Sequence, residues 1–237
     1  MPIPLPLELK QGLIRGIDGR TARLRSTNSL LTDRRFLMSN VAQRILVLGG
    51  TSFIGRSFCE TVRNKSGAQL TLFNRGITNP NLFPGVPRIH CDRNNFEDCK
   101  SKLSGTEWDS IVDFTGQDDQ QIRNVLSFCR CNHYTFISSS TVDRSWPADP
   151  LFSMAQNKLW CEHLLQKYVK NLLIIRPGFV CGRYDYTNRF EELDGKWYWK
   201  GTGDLVYPMV RVELLSNLLS RLVRESRTGI VRAGYFV

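Results

Sequence analysis

The 237-residue chain is 41% apolar and carries a formal charge of +10, a composition suited to one substantial core. No stretch reaches the ~18 consecutive apolar residues of a membrane-spanning helix; the longest apolar runs are strand-length ones such as Ile45 to Leu48. The charge favours anionic partners such as nucleotide cofactors, nucleotide sugars, RNA or acidic membranes, but with no basic run and no nucleic-acid-binding motif, a solvated basic surface is the plainer account.

The first 43 residues read as an extension outside the core. They hold prolines 2, 4 and 6, arginines 15, 20, 23, 25, 34 and 35, and no sustained apolar period. The arginine excess resembles a mitochondrial transit peptide, while Glu8, Asp18 and Asp33 count against one. Met38 offers a second start just ahead of the first strand. Seven scattered cysteines without a C-x-x-C pair read as free thiols in a reducing intracellular compartment, the cytoplasm first and the mitochondrion as the alternative. Cys129, Cys131 and His133 lie close in sequence but lack further ligands at suitable spacing, so no metal site is expected.

From Arg44 short apolar runs alternate with amphipathic stretches. Strands are expected at Ile45 to Leu48, Leu70 to Phe73, around Ile89, Ile111 to Phe114, Tyr134 to Ile137 and Leu172 to Ile175. Helices are expected at Ile54 to Arg63, Phe96 to Leu103, Ile122 to Cys129, Lys158 to Tyr168 and Val212 to Val223, with a last strand or strand pair at Gly229 to Phe236. Nearly continuous apolar strands separated by helices imply an α/β fold: a doubly wound parallel sheet covered on both faces. The expected division is a dinucleotide-binding Rossmann domain over 44–182 and a small, incomplete substrate lobe over 183–237.

Residues 45–55, ILVLGGTSFIG, run from a buried strand through a tight turn into a helix. Glycines are needed where a side chain would obstruct the turn, the approach of a pyrophosphate, or the seat of the helix on the sheet. The helix N-terminus adds amide donors and a partial positive charge. The next strand ends Phe73-Asn74-Arg75-Gly76, about twenty residues on. An acid there would bind ribose hydroxyls and select NAD, whereas Arg75 suits a 2′-phosphate, so NADP is expected ahead of NAD. A surface arginine in a loop is the other account of Arg75.

GGTSFIG at 49–55, then NRG at 74–76, Cys91-Asp92-Arg93, Val112-Asp113-Phe114-Thr115-Gly116, Phe136-Ile137-Ser138-Ser139-Ser140 and Arg176-Pro177-Gly178 through Arg183 together resemble the extended and atypical branch of the short-chain dehydrogenase/reductase superfamily. That branch includes NAD-dependent epimerases and dehydratases of nucleotide sugars. GGTSFIG followed by NRG is especially similar to the subgroup of chloroplast stem-loop-binding proteins. The resemblance implies that Gly49, Gly50, Thr51, Ser52, Phe53, Ile54 and Gly55 wrap the pyrophosphate, with Ser52 where most relatives carry the middle glycine. It further implies that Asn74 and Arg75 face the adenosine ribose, Asp92 the adenine, and Thr115 and Gly116 the passing cofactor. Lys158 is implied at its nicotinamide ribose, and Pro177 is a further implied cofactor-binding residue.

The same resemblance implies a catalytic serine, matched by Ser140 with Ser138 and Ser139 close beside it, and a Tyr-x-x-x-Lys on the next helix. Lys158 matches the lysine, or is a solvent-facing helix residue. Met154 stands where the tyrosine is expected, and methionine can neither donate nor accept a proton. The expectation is an oxidoreductase-like cofactor-binding protein of weak, altered or absent activity, with a nucleotide sugar as the substrate class; the alternative is a non-catalytic binding protein, RNA being one partner. Tyr184, Tyr186 and Asp143 are candidates to replace the missing tyrosine. Trp197 and Trp199 either stack a base or sugar or cover the small lobe. Relatives of this type continue past residue 236, so the lobe is expected to be shortened.

Overall fold

Side chains of successive strand residues alternate between the two faces of a sheet, and Ile45 and Val47 enter one core while Leu46 and Leu48 enter another. Both cores are therefore built from the same strands, which is why these runs are apolar nearly throughout. In this computed structural model, residues 42–65, 67–143, 152–201 and 208–235 are described. The expectation for the N-terminal extension falls outside them.

The order of elements is β1 (Arg44–Leu48), α1 (Phe53–Lys65), β2 (Gln69–Asn74), β3 (Arg88–His90), α2 (Phe96–Leu103), β4 (Thr106–Asp113), α3 (Asp119–Leu126), β5 (Cys129–Ile137), α4 (Phe152–Tyr168) and β6 (Leu172–Pro177). There follow β7 (Phe179–Cys181), β8 (Phe190–Leu193), β9 (Lys196–Trp199), β10 (Met209–Arg211), α5 (Val212–Arg224) and β11 (Gly229–Ala233). Seven strands form one sheet in the order β11-β6-β5-β4-β1-β2-β3, parallel throughout. The order reverses at β1, the doubly wound arrangement in which ligands sit beyond the carboxyl ends of the strands next to the reversal. One face packs against α1 and α5, the other against α2, α3 and α4.

Each expected strand overlaps an observed one and α2 matches, but β4 and β5 begin five residues early, at Thr106 and Cys129, and α4 begins at Phe152 rather than Lys158. The third helix is shifted: it runs Asp119–Leu126 rather than Ile122 to Cys129, because the Asp118 carboxylate accepts the Gln121 amide and starts it early. Cys129 is instead the first residue of β5, paired with Thr106. The segment from 183 onward divides. Helix α5 packs on α1, with Ser216 donating to Ser57 at 2.9 Å, and β11 extends the main sheet beside β6. The hairpin β8–β9 and the pair β7–β10 lie outside that sheet. These short strands had no apolar run to announce them. Trp199 packs against Phe179 and Phe190 in a small cluster with Cys181 and Met209, which supports the covering role over the stacking one.

The turn between β1 and α1 holds its shape by close backbone approach. A Cβ on Gly55 would lie 2.1 Å from the Gly49 carbonyl oxygen, and one on Gly49 would lie 2.2 Å from the Thr115 methyl group. Gly49 also takes φ +86°, a conformation that side chains disfavour. Gly55→Ala meets backbone that cannot yield, so the expected outcome is a stability loss of about 1–3 kcal/mol or more, read from urea unfolding. A change within a few tenths would contradict this packing.

Candidate functional site

At the carboxyl ends of β1, β2 and β4 lies a crevice of about 340 Å³ walled by Gly49, Thr51, Ser52, Asn74, Arg75, Asp92 and Thr115 among others. Seven of the residues picked out by sequence thus meet around one space. Gly49 donates to the Phe73 carbonyl and the Phe114 amide donates to Leu48, which fixes the ends of β1, β2 and β4 together. Ser52 accepts the Arg56 amide through its carbonyl and is not among the residues of positive φ, whereas Phe53 is, at +35°. A serine at position 52 therefore imposes no backbone strain.

Two polar groups in this wall are unusual. The Asn74 Oδ1 accepts the Gly76 amide at 2.9 Å, which fixes the amide's orientation, while its Nδ2 is buried without a partner among the described residues. Such an atom costs free energy unless something else accepts from it. Arg75 is exposed, and among the described residues none is within hydrogen-bond or ion-pair reach of its guanidinium. The Asp92 carboxylate accepts the Asn94 backbone and side-chain amides and stays at the crevice wall.

The floor is built on a buried ion pair that the sequence reading did not assign. Arg93 donates to Asp113 through Nη1 at 2.8 Å and through Nη2 at 2.9 Å. Asp113 also accepts the Tyr134 hydroxyl at 2.8 Å and the Thr115 and Gly116 amides at 2.9 Å. Burial opposes ionisation of Asp113, but Arg93 and these donors prevail and hold its carboxyl below the usual range. Burial, reinforced by the Asp113 charge, raises the Tyr134 hydroxyl well above its ordinary value. The signal was present in the sequence: a lone acid inside the apolar run of β4 needs a cation, and Arg93 stood one residue past Asp92.

The other expected cofactor contacts are not in the crevice wall. Gly50 is buried within the turn, and Phe53, Ile54 and Gly55 are the first residues of α1, Phe53 entering the core. Gly116 is buried, with its amide given to Asp113 and its carbonyl accepting from Lys158 Nζ at 2.7 Å. Lys158 also donates to the Ile137 carbonyl at 3.0 Å and is only 6% exposed, so it is a buried residue and not a solvent-facing one. Burial lowers its pKa to about 8, although Asp113 pulls the other way. Pro177 is buried at the end of β6.

Of the three serines after β5, Ser138 donates to Glu162 at 2.5 Å and Ser139 accepts from the Thr141 amide and hydroxyl. Only the Ser140 hydroxyl is buried without a partner among the described residues. Met154 is 37% exposed, one turn before Lys158 on α4. The replacement candidates are engaged elsewhere. Tyr184 donates to Glu60 at 3.0 Å, with Arg56 stacked on its ring at 3.6 Å. Tyr186 lies edge-on to Phe53. Asp143 pairs with Arg176 and Arg232, which hold its carboxyl low against the effect of burial.

No protein-family model matches the chain. It is 28% identical over 180 residues to the chloroplast stem-loop binding protein of 41 kDa b of Arabidopsis thaliana, a match covering 66% of this chain and 47% of that protein, so the chain spans about half the length of this relative. Among solved structures, a short-chain dehydrogenase/reductase of Veillonella parvula in complex with NADP is similar at TM-score 0.59 and 12% identity, over 82% of this chain and 95% of that one. The UDP-glucose 4-epimerase of Thermus thermophilus, complexed with NAD, matches at 0.59 and 18%, over 81% and 78%. The ADP-L-glycero-D-manno-heptose-6-epimerase of Helicobacter pylori matches at 0.62 and 15%, over 82% and 77%. At these identities the likeness is one of fold. The likeness in fold is to short-chain dehydrogenases/reductases and epimerases, and the likeness in sequence is to the stem-loop binding protein.

Asp113→Asn keeps the side-chain shape and leaves Arg93 buried without its counter-charge. The expected loss in urea unfolding is about 3–5 kcal/mol, and a loss under ~1 would contradict the role given to the pair. Lys158 makes a pH prediction. Its folded-state pKa of about 8 lies below the ordinary 10.5, so in that window the unfolded chain binds more protons and stability rises with pH. Relative to Lys158→Met, the natural chain should gain up to about 3 kcal/mol across the window, at ~1.4 kcal/mol per pKa unit. Parallel stability curves would contradict it.

Proposed function

We propose that the crevice binds an NAD(P) dinucleotide, NADP ahead of NAD, on an epimerase/dehydratase-like scaffold whose proton-transfer position is filled by Met154. The observation that carries this reading is the meeting of a side-chain-poor turn with the unpartnered Asn74 Nδ2 and Arg75 guanidinium around one space. Thr51 and Ser52 would hold the pyrophosphate beside the turn, aided by the helix N-terminus. Asn74 would donate to a ribose hydroxyl, Arg75 would pair with a 2′-phosphate, and Asp92 would meet the adenine. When bound, the dinucleotide supplies a hydride acceptor or donor. Ser140, with its unpartnered hydroxyl, would orient a substrate, and Lys158 holds the Gly116 and Ile137 carbonyls at the same end of the sheet.

Met154 itself cannot move the proton. Loss of general acid or base help costs roughly 10²–10⁴ in rate, or about 3–5 kcal/mol of barrier. Tyr184 is held on α1 by Glu60 and Arg56, and Asp143 is tied to two arginines, so neither stands ready to serve. Activity on a nucleotide sugar, the substrate class named for the epimerase neighbours, would be weak, altered or absent. Seven free thiols fit a reducing compartment.

A second reading, RNA binding, is favoured by the identity to a protein named for stem-loop binding and by the charge of +10.

For the first reading, NADP should raise the thermal midpoint more than NAD does, and Arg75→Asp should reverse that order; no shift by either dinucleotide at millimolar concentration would reject it. Met154→Tyr should raise hydride transfer to a nucleotide sugar by about 10²-fold or more. An unchanged rate would place the deficit in the substrate lobe. For the second, gel-shift affinity should fall steeply with salt, and a flat or absent response would remove it.

A further inference from the structure

Opposite the crevice, at the amino ends of β5 and β6, lies a second groove of about 770 Å³. We propose that this groove is a binding site for a single-stranded segment of RNA, separate from the dinucleotide crevice; the proposal rests on the RNA reading above and adds its location. Arg123, Arg130 and Lys170 line it, together with Tyr168, Asn132 and Asn171. None of its lining residues is acidic.

Each part follows from local structure. The first residues of β5 alternate, so Arg130 and Asn132 are exposed while Cys129 is buried. Lys170 and Asn171 fill the short link from α4 to β6. Asn171 donates to the Asn132 carbonyl at 2.9 Å and its own carbonyl accepts the Tyr134 amide, which fixes the floor. Arg130 and Lys170 have no hydrogen-bond or ionic partner among the described residues. Arg123 has only an exposed pairing with Asp119 at 3.3 Å, worth little in water.

Tyr168 is 59% exposed at the end of α4, and Lys167 places its ammonium 5.3 Å from the ring centroid. An exposed aromatic ring among unpaired cations in a groove is the combination that takes a phosphodiester chain: cations track the backbone while a base stacks on the ring. An acidic peptide would use the cations but not the ring. The nine residues of β5, at about 3.3 Å each, separate the two ends of the sheet by roughly 25 Å. That exceeds the Debye length of about 8 Å in physiological salt, so a dinucleotide in the crevice and RNA in the groove neither overlap nor repel appreciably.

The test is fluorescence anisotropy of the full chain with a labelled single-stranded RNA of about 10 nucleotides, titrated over a range of salt. The double variant R130E/K170E should bind at least ~10-fold more weakly, with the salt slope reduced by about 0.7 for each lost phosphate contact. Tyr168→Ala should lose about fivefold or more. Saturating NADP should leave the affinity of the natural chain unchanged. Unaltered thermal midpoints establish that the variants fold, and the tyrosine variant keeps the test valid if the double variant does not. RNA binding that survives both variants, or that NADP displaces, overturns the groove while the RNA reading stands. Absence of RNA binding by the natural chain overturns both.

Discussion

The Asp113 carboxylate, fully buried at the carboxyl end of β4, is the constraint on which the crevice depends. It grips Arg93 with both oxygens and so draws in the segment after β3. By accepting the Thr115 and Gly116 amides it turns the chain at the end of β4. That turn sets the Thr115 methyl where only a glycine can stand opposite it, at Gly49. The Gly116 carbonyl then faces Lys158, so one carboxylate orders both the glycine-rich turn and the seat of the catalytic-position lysine. Its cost in desolvation is offset only because every acceptor site is used, which is the condition for a buried pair to hold.

The two ends of the parallel sheet carry different chemistry. At the carboxyl ends, the glycine-rich turn, a side-chain amide and an arginine without partners among the described residues surround one crevice. Beside this space, the Ser140 hydroxyl is unpartnered among the described residues, Lys158 is buried on two carbonyls, and Met154 stands one turn before it on α4.

Much of this was readable from residues. Periodicity located the main-sheet strands and the helices, since strands buried on both faces are mostly apolar, and the glycine spacing located the turn. Asn74, Arg75 and Asp92 were legible because strand ends adjoin the crevice in this topology. The Arg93–Asp113 pair was legible only by half: an acid in an apolar run calls for a cation, but which cation reaches it depends on how the segment after β3 meets the end of β4. The burial of Lys158 was missed because a lysine reads as surface until its two carbonyl partners are known. Strands β7 to β10 were not located because they lie outside the strand–helix alternation of the main sheet, and their packing depends on contacts with Phe179 and Trp199 rather than on periodicity. The engagement of Tyr184 with Glu60 likewise arises from tertiary contact across the fold.

Amide hydrogen exchange with and without saturating NADP tests whether the glycine-rich turn and the ends of β2 and β3 hold the dinucleotide. Slowed exchange is predicted in residues 49–56, 74–76 and 92–94, with the amino end of β5 unchanged. Exchange that is unaltered across those three segments, or slowed elsewhere instead, would contradict the account.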